Sequence, residues 1–284
     1  MGGMGLFDIF GRHDQPRPST VTFTFEDAAY TYDDGGNAST NAAGAAAAGN
    51  VGLLATSLTI TPEDRRVAVI GLNGAGKTTL LKLLDGALTA TSGSVRITAG
   101  DDELDPGVKK DLRRIEDLVG RVRREEIPNS YYRAATIREA IDQPLKKHKV
   151  PESERMAIVG NLFAHFRLNA VARQPASALN SEQRHLLAIA SALSFSPAAI
   201  VADEPTKGLD EIGSAHVAEA LFGYDKQVVF ATHDVDLIVR PQYAISRTLV
   251  VDGHRIVFDG APKEAAAFYN DLVRRRYEES KLAH

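Results

Sequence analysis

The chain has 284 residues, 33 of them basic and 37 acidic, for a formal charge of −4, and it contains no cysteine. That length suits one large domain or two small ones; the charge balance offers no general argument for nucleic-acid binding, and the lack of cysteine excludes disulfides and thiolate metal sites. No run of 18 apolar residues occurs, and Met1–Gly11 has no basic stretch ahead of an apolar one, so a soluble, cytoplasmic chain is expected.

Residues 1–19, rich in Gly and Pro, are expected to form a flexible tail. Val21, Phe23 and Phe25 alternate with polar residues up to Tyr30 and Tyr32, which suggests a strand in a small β region. Residues 35–50 are entirely Gly, Ala, Asn, Ser and Thr and read as a flexible insertion, although the alanines at 42–48 also suit a brief helix. Val51–Thr61 resumes the β pattern. Val67–Ile70 then reads as a buried strand running into Gly71-Leu72-Asn73-Gly74-Ala75-Gly76-Lys77-Thr78-Thr79, and Leu80, Leu81, Leu83 and Leu84 follow at helical spacing.

Beyond that helix, Gly93 marks a turn and Val95–Ile97 a short strand. The mixed acidic and basic run from Asp101 to Glu126 reads mostly as a solvated face. Residues 134–172 carry apolar side chains at helical intervals, among them Ile137, Ile141, Ile158, Leu162 and Phe166, and predict a helical lobe punctuated by Pro144 and Pro151. A helix over 182–194 leads to the apolar strand Ala199–Ala202. Val228–Ala231 is another buried strand, followed by Thr232-His233-Asp234. Leu249–Val251 and Ile256–Phe258 flank Asp252-Gly253, a hairpin signal, and residues 262–278 predict a charged tail helix. Helices alternating with short apolar strands favour a layered α/β core.

The glycine-rich segment has the spacing and the strand–motif–helix context of a phosphate-binding loop. Its amides converge on phosphate oxygens, the helix adds its positive end, Lys77 reaches the terminal phosphates and the Thr78 hydroxyl suits magnesium. The plainer reading is a turn with a solvent-facing lysine. Downstream, Asp203 and Glu204 leave a strand pointing in different directions: Asp203 suits magnesium through a water, while Glu204 faces the terminal phosphate and polarises the attacking water. An acidic pair capped by Pro205 is the plainer alternative.

Together these segments resemble the ATP-binding cassette (ABC) ATPases. The resemblance rests on the Walker A-like Gly71–Thr79, the Walker B-like strand ending at Asp203-Glu204-Pro205-Thr206, the D-loop-like Lys207-Gly208-Leu209-Asp210 and the switch-like His233 before Asp234, and it covers most of residues 20–262. It implies a P-loop NTPase with a RecA-like α/β core, an antiparallel β region and a helical subdomain over about 130–181, followed by a helical tail at 263–284. The implied ligands are ATP and Mg2+. Gly71, Asn73, Gly74, Ala75, Gly76, Lys77, Thr78 and Thr79 would bind nucleotide, Tyr32 would stack on adenine in preference to Tyr30, and Glu204, His233 and Lys77 would carry the chemistry, with Thr78 and Asp203 at the metal.

Two departures from the family pattern stand out. The signature Leu-Ser-Gly-Gly-Gln is replaced by Leu179-Asn180-Ser181-Glu182-Gln183, which puts a carboxylate where the family has a glycine facing a partner's ATP. Arg124 occupies the place expected for the Q-loop glutamine; it would contact phosphate but offers magnesium no oxygen, whereas Glu125, Glu126 and Asn129 would if the loop is offset. The resemblance implies a transporter ATPase pairing head to tail with a second cassette, a heterodimer being favoured, and docking on polytopic membrane subunits at the cytoplasmic face. It looks most like importer ATPases of the energy-coupling-factor type, for vitamins or metal ions. A soluble regulatory or assembly ATPase, and an ATP-binding subunit with weakened catalysis, are the alternatives. No motif specifies the transported substance.

Overall fold

The computed structural model describes residues 18–32, 50–124 and 126–282. Most of the expected tail over 1–19, the expected insertion over 35–50 apart from Asn50, and Glu125 lie outside them.

Strands β1 (Thr22–Tyr32) and β2 (Asn50–Ile60) form an antiparallel pair in which Phe23 faces Ile60 and Phe25 faces Leu58. β3 (Arg66–Gly71) leads through the glycine-rich loop into α1 (Lys77–Leu84). β4 (Ser92–Ala99) and β5 (Asp102–Leu104) then complete a four-stranded sheet of order β2-β1-β4-β5. Alternation in β1 buries Phe23 and Phe25 on one face, the period-2 signature of a sheet with one covered side.

The second sheet is built from β3, β6 (Val119–Arg123), β7 (Ala199–Asp203), β8 (Gln227–Ala231), β9 (Arg247–Asp252) and β10 (Arg255–Gly260), in the order β10-β9-β3-β8-β7-β6. All its neighbours are parallel except the β9–β10 hairpin. Its central strands are buried on both faces, so they read as unbroken Val, Ile and Ala runs rather than alternating ones. Val67, Val69, Val201, Val229 and Leu249 pack toward the antiparallel sheet and α1. Ala68, Ile70, Ile200, Ala202 and Phe230 pack on the other face, with the helices.

Those helices are α3 (Ile137–Lys147), α4 (Glu152–His165), α5 (Ser181–Leu193), α6 (Glu211–Phe222), α7 (Val235–Val239) and α8 (Pro262–Leu282), whereas α2 (Lys109–Leu118) packs Ile115 and Leu118 on the α1 side. Pro151 caps α4 as anticipated, but Pro144 sits inside α3 instead of ending it, at the loss of one helical donor.

The charged run 101–126 mostly presents a solvated face, as expected, with its apolar residues turned inward. Ile115 and Leu118 of α2 are buried, and β6 is an edge strand of the parallel sheet with Val119 and Val122 inward. Its arginines are accommodated by a buried acid: Arg121 Nη2 donates to the Asp85 carbonyl at 2.6 Å, and the Asp85 carboxylate lies 3.5 Å from Arg121 Nε and 3.4 Å from Arg123 Nη2. Burial pushes the Asp85 carboxyl up, against the pull of Arg121 and Arg123.

The carboxyl ends of the central parallel strands point the same way. The loops after β3, β7 and β8 therefore meet on one edge, the place where open parallel sheets receive ligands.

Candidate functional site

The loop after β3 is shaped by close approach as much as by conformational freedom. A Cβ on Gly71 would lie 2.2 Å from the Val251 carbonyl oxygen of β9, so any side chain there pushes two paired strands apart. Gly76 caps α1 with φ 109°, a left-handed backbone that strains other residues. Lys77 is buried, and its Nζ donates to the carbonyls of Gly71 at 2.8 Å and Leu72 at 3.0 Å. Burial pulls the Lys77 ammonium down, opposed by Glu204 and Asp203. The first turn of α1 itself contains no acidic residue to compete with an anion for the positive end of the helix.

β7 delivers Asp203 and Glu204 to the same place. Thr78 Oγ1 donates to Asp203 Oδ2 at 2.8 Å, which brings two oxygen ligands of the kind magnesium favours together at the start of α1. Glu204 leaves the strand with φ 54°, and its amide donates to the Ala231 carbonyl at the end of β8 at 3.0 Å. Its side chain is buried, and that desolvation pushes its carboxyl above the usual range, against Lys207 and Lys77. His233, just beyond β8, places Nε2 2.8 Å from Glu204 Oε1. The pair is within ion-pair distance but off hydrogen-bond alignment, so Oε1 has no hydrogen-bond donor among the described residues. Burial, with Lys77 and Lys207 nearby, pulls the His233 imidazole down and favours its neutral form.

These groups line one open cleft of about 530 Å³. Asn73 to Thr79 form its floor, with Asp203, Glu204 and His233 on one side. Tyr32 lines it, its hydroxyl 3.0 Å from Thr79 Oγ1, whereas Tyr30 packs edge-on against Tyr32 with ring centroids 4.8 Å apart and does not line the cleft. Arg124 lines it too, on a backbone at φ 49° whose amide donates to the Asp203 carbonyl at 3.0 Å. Glu126 and Asn129 do not line it.

Gly52, His254 and Lys207 also reach the cleft, and the sequence reading gave none of them a role there. Gly52 is required by contact: a Cβ would stand 2.7 Å from Tyr32 Cε2 and 2.9 Å from Thr79 Cγ2. His254 follows the Asp252-Gly253 turn, and that hairpin signal was the one available hint. The hairpin is itself tied to the last helix, because Arg276 of α8 donates to Asp252 Oδ2 at 2.6 Å. Tyr269 of α8 also feels the cleft: burial and then the Glu204 charge push its phenol up.

Leu179–Gln183 stand apart from this cleft. Asn180 caps α5, accepting from the Gln183 amide at 2.8 Å while Gln183 Oε1 accepts from the Asn180 amide at 3.1 Å, a reciprocal capping box. Leu179 is buried beneath it. The Glu182 carboxylate turns to α6, where His216 Nδ1 donates to Oε1 at 2.9 Å. Asp210 caps α6 by accepting from the Gly213 amide at 2.7 Å.

A family model described as "ABC transporter" matches residues 54–207. The energy-coupling factor transporter ATP-binding protein EcfA of Methanocaldococcus jannaschii is 30% identical over 225 residues, which cover 78% of either chain. Among solved structures, cbiO1 of Clostridium perfringens, part of the transporter complex cbiONQ, superposes with a TM-score of 0.70 at 26% identity over 89% of this chain and 93% of its own. A dimeric ATP-binding cassette bound to ADP and phosphate superposes at 0.67 and 21% identity over 84% of this chain and 98% of its own, a likeness of fold.

Proposed function

The chain belongs to the ABC transporter family of ATP-binding subunits, and from that premise we propose how its cleft divides the work of binding and hydrolysing ATP. The adenine stacks on Tyr32. The amides of Asn73 to Thr79 and the end of α1 receive the phosphates, whose terminal charge Lys77 neutralises after exchanging its two carbonyl partners for phosphate oxygens. Thr78 and Asp203 would hold Mg2+, which on this arrangement would neutralise charge on the bound phosphates. Glu204 orients the attacking water and accepts its proton; His233 supports that water from the other side of the carboxylate. Arg124 adds a cation at the phosphate end. The observation that carries this reading is the convergence of Lys77, the Thr78–Asp203 pair and the Glu204–His233 pair in one cleft from three separate strand ends.

We infer further that the chain energises an importer of the energy-coupling-factor type, working as one half of a head-to-tail pair on separate membrane subunits at the cytoplasmic face. No helix among the described residues is long and apolar enough to cross a membrane, so translocation would be the work of other chains. In such a pair α5 faces the partner's ATP. The turn of Glu182 toward His216 supports a signature that tolerates its acid by holding it away from the phosphate. A heterodimer with a standard signature opposite would then hydrolyse the ATP held at Lys77 and turn over the other one slowly.

Purification of the assembled complex, with ATPase activity measured before and after Glu204→Gln, tests both levels. A stoichiometric polytopic partner and activity abolished by the substitution support the importer. A soluble partner alone points to a regulatory ATPase, and tight ATP binding without turnover in either form points to a subunit weakened in catalysis.

A further inference from the structure

We propose that His254 reads the sugar of the bound nucleotide, its Nε2 accepting a hydrogen bond from a ribose hydroxyl. The assignment rests on the reading of the cleft as the ATP site with the base at Tyr32.

The geometry constrains both the position and the chemistry of this ring. His254 sits at the tip of the β9–β10 hairpin with φ 63°, and its backbone is held from two sides: its amide donates to the Ala75 carbonyl at 3.0 Å, and its carbonyl accepts from the Leu54 amide at 2.7 Å. One partner belongs to the phosphate loop and the other to β2. Its Nδ1 lies 3.3 Å from the carbonyl oxygen of Gly52. A carbonyl has no proton to give, so Nδ1 carries the hydrogen, and in the neutral ring Nε2 is left with a lone pair and no proton.

The ring borders the phosphate loop and, through Gly52, the Tyr32 side of the cleft. A Cβ on Gly76 would stand 2.8 Å from the Gly52 carbonyl oxygen and 3.4 Å from the His254 Cα, and one on Gly52 would stand 2.7 Å from Tyr32 Cε2. A nucleotide spanning the distance from a stacked base to phosphates on the loop puts its sugar between the two. Hydroxyl groups are the donors a sugar offers. The charged groups facing the cleft are Lys77, Lys207 and Arg124 as cations with Asp203 and Glu204 as anions, and the reading of the cleft assigns them to the phosphates. A site built to satisfy a hydroxyl discriminates against the analogue that lacks it, because its own polar group is then left unpaired.

The test is equilibrium binding of ATP, 2′-deoxy-ATP and 3′-deoxy-ATP to the full chain and to two variants. His254→Phe keeps a ring without the acceptor, and His254→Gly removes the ring while accepting the positive φ, so at least one retains the hairpin. One deoxynucleotide should bind the parent chain roughly five- to tenfold more weakly than ATP, the range expected for one hydrogen bond. Both variants should erase that preference. An unmodified chain that binds ATP without distinguishing the sugars, or a preference that survives both substitutions, overturns the assignment and leaves the ATP cleft standing. If the unmodified chain binds none of the three, the reading of the cleft falls and the assignment falls with it.

Discussion

Nε2 of His233 lies 2.8 Å from Oε1 of Glu204, although the two residues leave different strands and Glu204 enters the cleft from a backbone at φ 54°. The pair places an imidazole against the carboxylate proposed to take a proton from water. Glu204→Gln should lower ATP turnover by about 10²–10⁴-fold, the usual worth of a positioned base, while ATP binding changes little. His233→Ala should reduce turnover less, because the carboxylate remains. Steady-state ATPase rates beside equilibrium binding separate the two effects; turnover within threefold of the parent in Glu204→Gln would move the base elsewhere.

Desolvation raises the Glu204 carboxyl, which fixes the sign of a stability change. A group raised in the folded state stabilises fully below its unfolded value and loses that contribution as pH rises through the folded value. At neutral pH the ionised carboxylate therefore weighs against the ligand-free fold, and the neutral isostere in Glu204→Gln should raise Tm. The gain should shrink toward about pH 4.5, where the unfolded carboxyl also protonates. Thermal melts of the two proteins from pH 4.5 to 8 check this; a lower Tm for the variant at pH 7.5 contradicts it.

Gly52→Ala should weaken nucleotide binding. Its Cβ would stand 2.7 Å from Tyr32 Cε2 and 2.9 Å from Thr79 Cγ2, so the ring must turn from its place in the cleft. Base stacking on an aromatic is worth roughly 1–3 kcal/mol, and partial loss should weaken ATP binding about three- to tenfold. Pairing it with Tyr32→Ala in a double-mutant cycle gives the decisive reading: if Gly52→Ala still weakens binding to the same degree without the ring, Tyr32 is not the route.

Asn180→Ala removes half of the capping box on α5 and should cost about 1 kcal/mol of stability, whereas Asn180→Ser, which keeps an acceptor, should cost less. Restoring Ser, Gly and Gly at 180, 181 and 182 should raise hydrolysis of the ATP held by the partner. Site-resolved turnover in a mixed dimer measures it, and an unchanged rate at that ATP removes the case for an impaired signature.

The phosphate loop was legible because strand, loop and helix are contiguous: Val67 to Leu84 carry both the motif and the context that makes it fold. The strand ending at Asp203-Glu204 was legible for the same reason. What local pattern cannot display is neutralisation at a distance. Arg121 and Arg123 mark β6 as a charged surface run until Asp85, more than thirty residues earlier, is found buried against them. Gly52 and His254 belong to the cleft through a contact across about two hundred residues, and neither has a local signature beyond the Asp252-Gly253 turn. Whether Glu182 faces a phosphate or points away is not legible locally, because its partner, His216, lies on another helix.

The bond from Arg276 to Asp252 joins the last helix to the turn that ends two residues later at His254. Thermodynamic linkage works in both directions: if straining that joint alters the affinity of the cleft for nucleotide by some factor, nucleotide must alter the docking of α8 by the same factor. Through that bond the docking of the C-terminal helix and the occupancy of the cleft would become one linked equilibrium.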